Sequence, residues 1–290
     1  MMSVFETVVT SAPNHTLTLV VPCYNEELTL ANCIERVLEL RSENLALEII
    51  IVDDCSKDKS LEVARALERD HPEIRVLRHE VNQGKGAALR TGFAGATGDF
   101  VGIQDADLEY EPLEYRKLLE PLLRDEADVV FGSRYLRPSS RKVLYFWHSW
   151  MNKSLTFVSN MMTNLDISDM ETCYKLFRRE IIQSIDLKEN RFGFEPEVVA
   201  KIAQRRCRVW EEAISYKPRS FEEGKKIGWK DGVRALYCIL HYGAHSAQLP
   251  MQLLLYFFIG GVSAIGNIAF FSMLMGAKVD MTAAVLVAFA

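Results

Sequence analysis

Through the first 130 residues, short apolar runs alternate with stretches whose apolar positions recur every three or four residues. Leu17–Val21 is an apolar run closed by Pro22, and Ile49–Val52 is a continuous β-branched run, as expected of a strand covered on both faces. Ile74–Leu77, Phe100–Ile103 and Val129–Phe131 complete a set of five predicted strands. Between them, Glu27–Leu40 sets Leu28, Ala31, Ile34, Val37 and Leu38 at helical spacing. Further helices are predicted over 59–69, Ala87–Ala96 and Pro112–Leu123. This rhythm predicts an α/β fold with a mainly parallel, Rossmann-like sheet and helices on both faces. Ligands of such sheets sit beyond the carboxyl ends of the strands. The polar clusters fall there: Pro22, Tyr24, Asn25 and Glu26 after the first strand, Asp53-Asp54 after the second, Asp105-Ala106-Asp107 after the fourth, Gly132-Ser133-Arg134 after the fifth.

The pattern then changes. Residues 141–162 mix bulky apolar and aromatic side chains with isolated bases. They predict a helix lying on a membrane surface, with Tyr145, Trp147 and Trp150 at headgroup depth; a buried crossover helix is the alternative. Met251–Met275 reads as a transmembrane span, since about 20 apolar residues cross a bilayer core. The Lys- and Arg-rich flank Lys217–Arg234 places the first 245 residues on the cytoplasmic side. Another apolar segment begins at Met281 and is too short by Ala290 to cross, so the sequence is expected to stop inside a second span. The expected organisation is a cytoplasmic domain over 1–230, with an acceptor or interfacial segment at 134–165. A membrane domain over 231–290 follows, anchored in the cell membrane by more than one pass.

Composition sharpens this. With 49% hydrophobic and 25% charged residues in 290, the chain is globular rather than disordered. A net charge of −5 excludes a general nucleic-acid binder. The bases are concentrated: residues 201–234 carry ten Lys/Arg against five acids, and 134–165 hold five bases and no acid. Six scattered cysteines without a C-x-x-C pair read as reduced, buried small hydrophobes.

Asp105 and Asp107, two residues apart at a strand terminus with Glu109 beyond them, can converge on a hard divalent cation, Mg²⁺ or Mn²⁺. Such an ion would neutralise a diphosphate leaving group. Asp53-Asp54 is placed to hydrogen-bond a nucleoside, and Tyr24 and Glu26 offer a ring and a carboxylate to the same pocket. Gly84-Lys85-Gly86 matches neither G-x-G-x-x-G nor the P-loop, which disfavours a dehydrogenase or an ATPase. Its Lys85 is either a phosphate contact or a solvated side chain. His241 and His245 lack a third metal ligand and suit an interface better. Glu195 and Glu197 either face the active site or lie in a solvated loop.

VPCYNEE, IIIVDDCSKDKS, NQGKGAALRTG, GIQDADLEYEP, VVFGSRY, DMETCYKLFRRE and FGFEPE, spread over Leu17 to Trp229, together resemble the family-2 glycosyltransferases. The subgroup they are most similar to is the dolichyl-phosphate mannose synthase type. The resemblance implies a GT-A fold and an inverting mechanism. It also implies a nucleotide-sugar donor such as GDP-mannose or UDP-glucose and a polyprenyl-phosphate acceptor. Pro22, Tyr24, Glu26 and Asp54 match the nucleotide-contacting motifs, Asp105 and Asp107 the metal motif, and Glu109 stands where several relatives have Gln. Arg134 matches a phosphate-meeting arginine, and Arg219 and Lys225 match the bases of a late loop over the donor diphosphate; headgroup contacts are the other reading of that pair. A lipid monophosphate is already anionic and needs cationic placement rather than a strong base. Arg134, Arg137 and Arg141 can give that placement, with Ser139 and Ser140 as donors. Asp169 is either a group that shapes the reacting centre or a helix N-cap. Two rivals remain: a non-catalytic scaffold that senses sugar nucleotides, and a processive synthase, whose Q-x-x-R-W element Gln204–Trp210 does not supply. Self-association is left open.

Overall fold

The computed structural model describes residues 15–136, 143, 145–218, 229–244 and 247–289. The chain divides into two compact units, Met1–Ser246 and Ala247–Ala290.

The first unit is built on a seven-stranded sheet. Its strands are β1 (His15–Cys23), β2 (Leu45–Asp53), β3 (Ile74–Arg78), β4 (Phe100–Ile103), β5 (Val129–Ser133), β6 (Lys175–Arg178) and β7 (Val209–Ala213), in the spatial order β3-β2-β1-β4-β6-β5-β7. Helices α1 (Leu30–Leu38), α2 (Ser60–Asp70), α3 (Lys85–Gly95) and α4 (Tyr115–Leu123) connect the earlier strands. The central strands are apolar throughout: Leu17, Leu19, Val20 and Val21 of β1 and Ile49–Val52 of β2 are fully buried. Burial on both faces needs helices on both faces, and a connection to a parallel neighbour supplies them.

β1 runs one residue past Pro22, whose missing N–H a sheet interior normally forbids. Here it leaves nothing unmade. Val20 O accepts from Gln104 N and Cys23 O from Asp54 N, so Pro22 faces the side where β4 has already ended. The first helix begins at Leu30 rather than Glu27, because residues 26–29 form a tight turn in which Thr29 and Leu30 both donate to Glu26 O.

Two strands were not legible as strands in the sequence. β7 is a half-exposed edge paired with β5. β6 is inserted between β4 and β5 and runs antiparallel to both, so the sheet is mostly, not wholly, parallel. An antiparallel strand begins where its neighbours end. The segment that leads into β6, Asp169–Tyr174, is thereby carried to the same edge as the carboxyl ends of β1, β2, β4 and β5.

The rest of the unit comprises α5 (Phe146–Thr163), α6 (Arg179–Ser184), α7 (Phe194–Gln204) and α8 (Trp229–Gly243). α5 packs against α7 and α8, burying Thr156, Ser159, Met162 and Thr163. It leaves Phe146, Trp147, Trp150 and Phe157 more than half exposed.

The second unit holds α9 (Leu249–Gly276) and α10 (Met281–Phe289). α9 has 28 residues, no buried side chain and an 18-residue stretch with a mean hydropathy of 1.9, so it is long and apolar enough to cross a membrane. It is the one such helix among the described residues. A second span is not shown: α10, which begins where the start of one was expected, has nine residues.

Close approach of backbone explains the Gly84-Lys85-Gly86 turn. A Cβ on Gly86 would overlap Glu189 O, and one on Gly84, whose φ is +98°, would overlap Asn190 O. The glycines seat the 189–191 segment on the start of α3, and Ala87 N donates to Asn190 O at 3.1 Å. Replacing Gly86 by alanine forces that segment away, and Gly86→Ala is expected to cost about 2 kcal/mol. A lowered urea midpoint with an unchanged slope checks it.

Candidate active site

The strand ends surround a cavity of about 900 Å³ within the first unit. Pro22, Tyr24 and Glu26 line it from the end of β1, Asp54 from β2, Asp105, Asp107 and Glu109 from β4 and Arg134 from β5. Lys85 enters from the start of α3, Glu171 and Cys173 from the segment before β6, and Glu195 from the first turn of α7. Pro22, Tyr24, Glu26, Asp54, Lys85, Asp105, Asp107, Glu109 and Arg134 all line this space as expected, whereas Asp53 and Asp169 do not. Arg137, Ser139, Ser140, Arg141, Arg219, Lys225 and His245 lie outside the described residues.

Asp54 is almost fully buried and its carboxylate is satisfied by the protein. Oδ1 accepts from Gln83 N at 2.9 Å and lies 2.7 Å from His79 Nδ1, while Oδ2 accepts from Gly84 N at 2.7 Å. Its first task is thus to fasten the end of β2 to the turn before α3, which leaves only its edge toward the cavity.

Lys85 is not solvated. Its Nζ lies 3.0 Å from Asp105 Oδ1, 3.1 Å from Asp105 Oδ2 and 3.5 Å from Glu195 Oε1. Burial pulls the ammonium down, but the Asp105 carboxylate holds it well above the ordinary lysine range. Glu195 and Glu197 do not form a solvated loop. Glu195 faces the cavity, whereas Glu197 accepts from the backbone N–H groups of Lys188 (2.7 Å) and Glu189 (2.8 Å) and pairs with Lys201.

Asp105 and Asp107 present hard carboxylate oxygens from one short turn. Glu109 Oε2 accepts from the Tyr216 hydroxyl at 2.8 Å. Among the described residues no three His, Cys, Asp or Glu side chains are gathered as a ready metal cage, so the expected three-carboxylate grip is not assembled. Two carboxylates still fit Mg²⁺ or Mn²⁺ chemically, because Mg²⁺ sites typically use one or two carboxylates, with water and phosphate oxygens completing the shell.

Asp169 starts no helix, so it is not an N-cap; it is completely buried beside Arg134. Arg134 Nε and Nη2 each reach one Asp169 oxygen at 2.7 Å, and Arg134 N donates to Oδ2 at 3.0 Å. Asn152 of α5 donates to Oδ1 at 3.0 Å. The Arg134 guanidinium lies 5.1 Å from the centre of the Tyr216 ring. Asp169 therefore holds Arg134 in place from behind the cavity wall.

Residues 18–186 match the family described as glycosyl transferase family 2. The chain belongs to that family. Among its relatives is the dolichol-phosphate mannosyltransferase of Pyrococcus furiosus, 28% identical over 214 residues. That match covers 73% of this family 2 chain and 59% of the Pyrococcus protein, so the chain spans under two thirds of that relative's length. The undecaprenyl-phosphate 4-deoxy-4-formamido-L-arabinose transferase of Pseudomonas paraeruginosa is 28% identical over 260 residues, covering 89% and 72% of the two chains. In fold the chain is similar to glucosyl-3-phosphoglycerate synthase of Mycobacterium tuberculosis, solved with Mn²⁺, UDP and glucosyl-3-phosphoglycerate. The TM-score is 0.61 at 19% identity, over 79% of this chain and 80% of that one. The fold is accordingly GT-A-like.

Several cavity residues of this family 2 chain escaped sequence reasoning as individuals. Glu171 and Cys173 sat inside the quoted DMETCYK stretch, a signal that could have singled them out. Tyr216 and Asn152 carried none, since each matters only through a distant partner.

Burial works against charge on Asp169, yet the Arg134 guanidinium, with donors from Asn152 and the Arg134 backbone, holds its carboxyl below the usual range. The pair's contribution is therefore complete above about pH 4, the ordinary carboxylate value. It drains away as pH falls through the lower native value. Asp169→Asn leaves a buried guanidinium uncompensated and should cost about 3 kcal/mol near neutrality. Urea denaturation across pH checks this: the gap between wild type and variant should stay constant above pH 5 and close in acid.

Proposed function

We propose that the chain moves one hexose from a nucleotide-sugar, GDP-mannose or UDP-glucose, to a polyprenyl phosphate at the cytoplasmic face of the cell membrane. The observation that carries this reading is the single cavity that joins the Asp105–Asp107 turn, Arg134 and the aromatic start of α5. The activities named for the Pyrococcus and Pseudomonas relatives, both transfers to polyprenyl phosphates, support it.

Pro22, Tyr24 and Glu26, with Asp54 behind them, take the nucleoside end. Asp105 and Asp107 would hold Mg²⁺ or Mn²⁺, with Glu109 nearby, and the ion when bound supplies positive charge for the departing diphosphate. Lys85, and Arg219 and Lys225 from the late basic stretch, add cationic partners at that end. Arg134, kept rigid by Asp169, meets the acceptor phosphate together with Arg137, Arg141 and Ser139.

The acceptor needs no base. A phosphate monoester is largely dianionic near neutrality, its second pKa being about 6, so an oxygen of that group is already a nucleophile. In an inverting transfer this oxygen bonds to the sugar's C1 as the bond from C1 to the diphosphate oxygen breaks, and the nucleoside diphosphate leaves with the electron pair. The protein's contribution is placement and charge.

The lipid must reach this cavity from a bilayer. Tyr145, Trp147 and Met151 line the cavity while Phe146, Trp150 and Phe157 are exposed on the same helix. Val233, Leu236, Tyr237 and Leu240 of α8 are exposed as well. We read these as the face that rests in the headgroup region, with α9 as the anchor.

Labelled GDP-mannose and UDP-glucose, each supplied with polyprenyl phosphate and Mn²⁺, test the proposal. One label should pass to the lipid, and Asp107→Ala should lower the rate at least about a hundredfold while the variant remains folded. Nucleotide binding without labelled lipid from either donor would sink the acceptor assignment. Full cellular activity of Asp107→Ala would favour the scaffold.

A further inference from the structure

Two buried carboxyl oxygens at the cavity have no hydrogen-bond partner among the described residues: Oε1 of Glu171 and Oε2 of Glu195. Glu195 is 4% exposed and both residues line the cavity. A buried polar atom left unmatched costs about 1–3 kcal/mol. Two of them in one cavity point to a ligand that brings the missing partners.

Charge narrows the ligand. Lys85 lies between Asp105 and Glu195. The fully buried Lys175 donates to Met170 O at 2.8 Å and to Thr172 O at 2.5 Å, flanking Glu171 in sequence. Burial, and then the Glu195 carboxylate, push the Glu171 carboxyl up to about 8. Near neutrality it keeps its proton and offers an O–H as well as an acceptor. On this side of the cavity Lys85 is matched by the Asp105 and Glu195 carboxylates, and Lys175 is spent on two backbone carbonyls, which favours an uncharged ligand over a phosphate. A neutral carboxyl beside a carboxylate suits alcohols, each of which can donate and accept.

We propose that Glu171 and Glu195 form the subsite that reads the hydroxyl groups of the transferred sugar and so determine which sugar is accepted. The inference rests on the nucleotide-sugar reading above. It assigns the sugar to the side of the cavity formed by Lys85, Glu171 and Glu195, away from the nucleoside residues at the ends of β1 and β2.

Calorimetry on the full chain in detergent with Mn²⁺ tests it, with GDP, UDP, GDP-mannose and UDP-glucose as probes. Glu195→Gln and Glu171→Ala should each weaken the nucleotide-sugar by about tenfold or more and leave the matching diphosphate within about twofold. Glu171→Gln keeps a donor and an acceptor and should stay within about threefold of wild type for both. Retained diphosphate affinity also reports a folded nucleotide end, and Glu171→Ala carries the test if Glu195→Gln misfolds. Equal weakening of sugar-bearing and sugar-free nucleotides, or no weakening of either, overturns the assignment of the subsite alone. A folded wild-type chain that binds none of the four probes overturns the donor reading and this inference with it.

Discussion

The site depends on one strand running the wrong way. In a wholly parallel sheet only the carboxyl ends of strands meet at the ligand edge, and everything entering a strand lies at the opposite edge. β6 breaks that rule between β4 and β5. Its leading segment therefore arrives beside the Asp105 turn and Arg134, and brings Asp169, Glu171 and Cys173 with it. Tyr110 and Tyr174 stack at 4.7 Å, and Cys173 N donates to the Tyr110 hydroxyl. The turn after β4 and the segment before β6 are thereby packed as one body.

Charge compensation explains why these groups tolerate each other's company. An isolated ion at such depth would be neutralised or expelled. Here Asp169 answers Arg134, and Lys85 answers Asp105 and Glu195. Among the described residues Lys175 has no side-chain carboxylate within pairing distance; it is fixed by two backbone carbonyls and lies 5.0 Å from the Phe131 ring centre. Burial pulls its ammonium below the ordinary lysine range although Glu195 and Asp169 oppose this. Glu171 gives way in the other direction and keeps its proton. The pattern leaves a cavity whose deepest ions are paired within its own wall, while the lining as a whole carries more acids than bases.

Much of this was legible in the sequence, for reasons that differ by element. β1, β2, β4 and β5 announced themselves because strands buried on both faces are apolar without interruption. Asp105, Asp107 and Arg134 followed, since polar residues directly after such strands must lie at the ligand edge; Lys85, at the start of α3, stayed open between a phosphate contact and a solvated side chain. β6 stayed hidden because Lys175-Leu-Phe-Arg reads as an exposed segment, whereas Lys175 is completely buried. β7 stayed hidden because Val-Trp-Glu-Glu-Ala is a half-solvated edge. Asp169 was found as a residue but not as Arg134's partner, since a contact across 35 positions leaves no local pattern. Gly84 and Gly86 matched no phosphate-loop pattern, and only the backbone of the 189–191 segment shows what their missing side chains make room for.

α5 joins two demands that would otherwise compete. An apolar face left in water is a liability for a soluble unit, yet the same helix must present polar groups to the cavity. The two are separated around its circumference: Phe146, Trp150 and Phe157 look outward, and Asn152 reaches both the Tyr135 hydroxyl and Asp169 Oδ1 at 3.0 Å. Asn152 lies two residues from Trp150, so the outward face and the Arg134–Asp169 pair cannot move independently without bending the helix. On the proposed acceptor chemistry, seating that face against lipid and orienting the phosphate-binding guanidinium are one mechanical event. This accounts for a half-buried amide at a position where helix packing alone would be served as well by leucine.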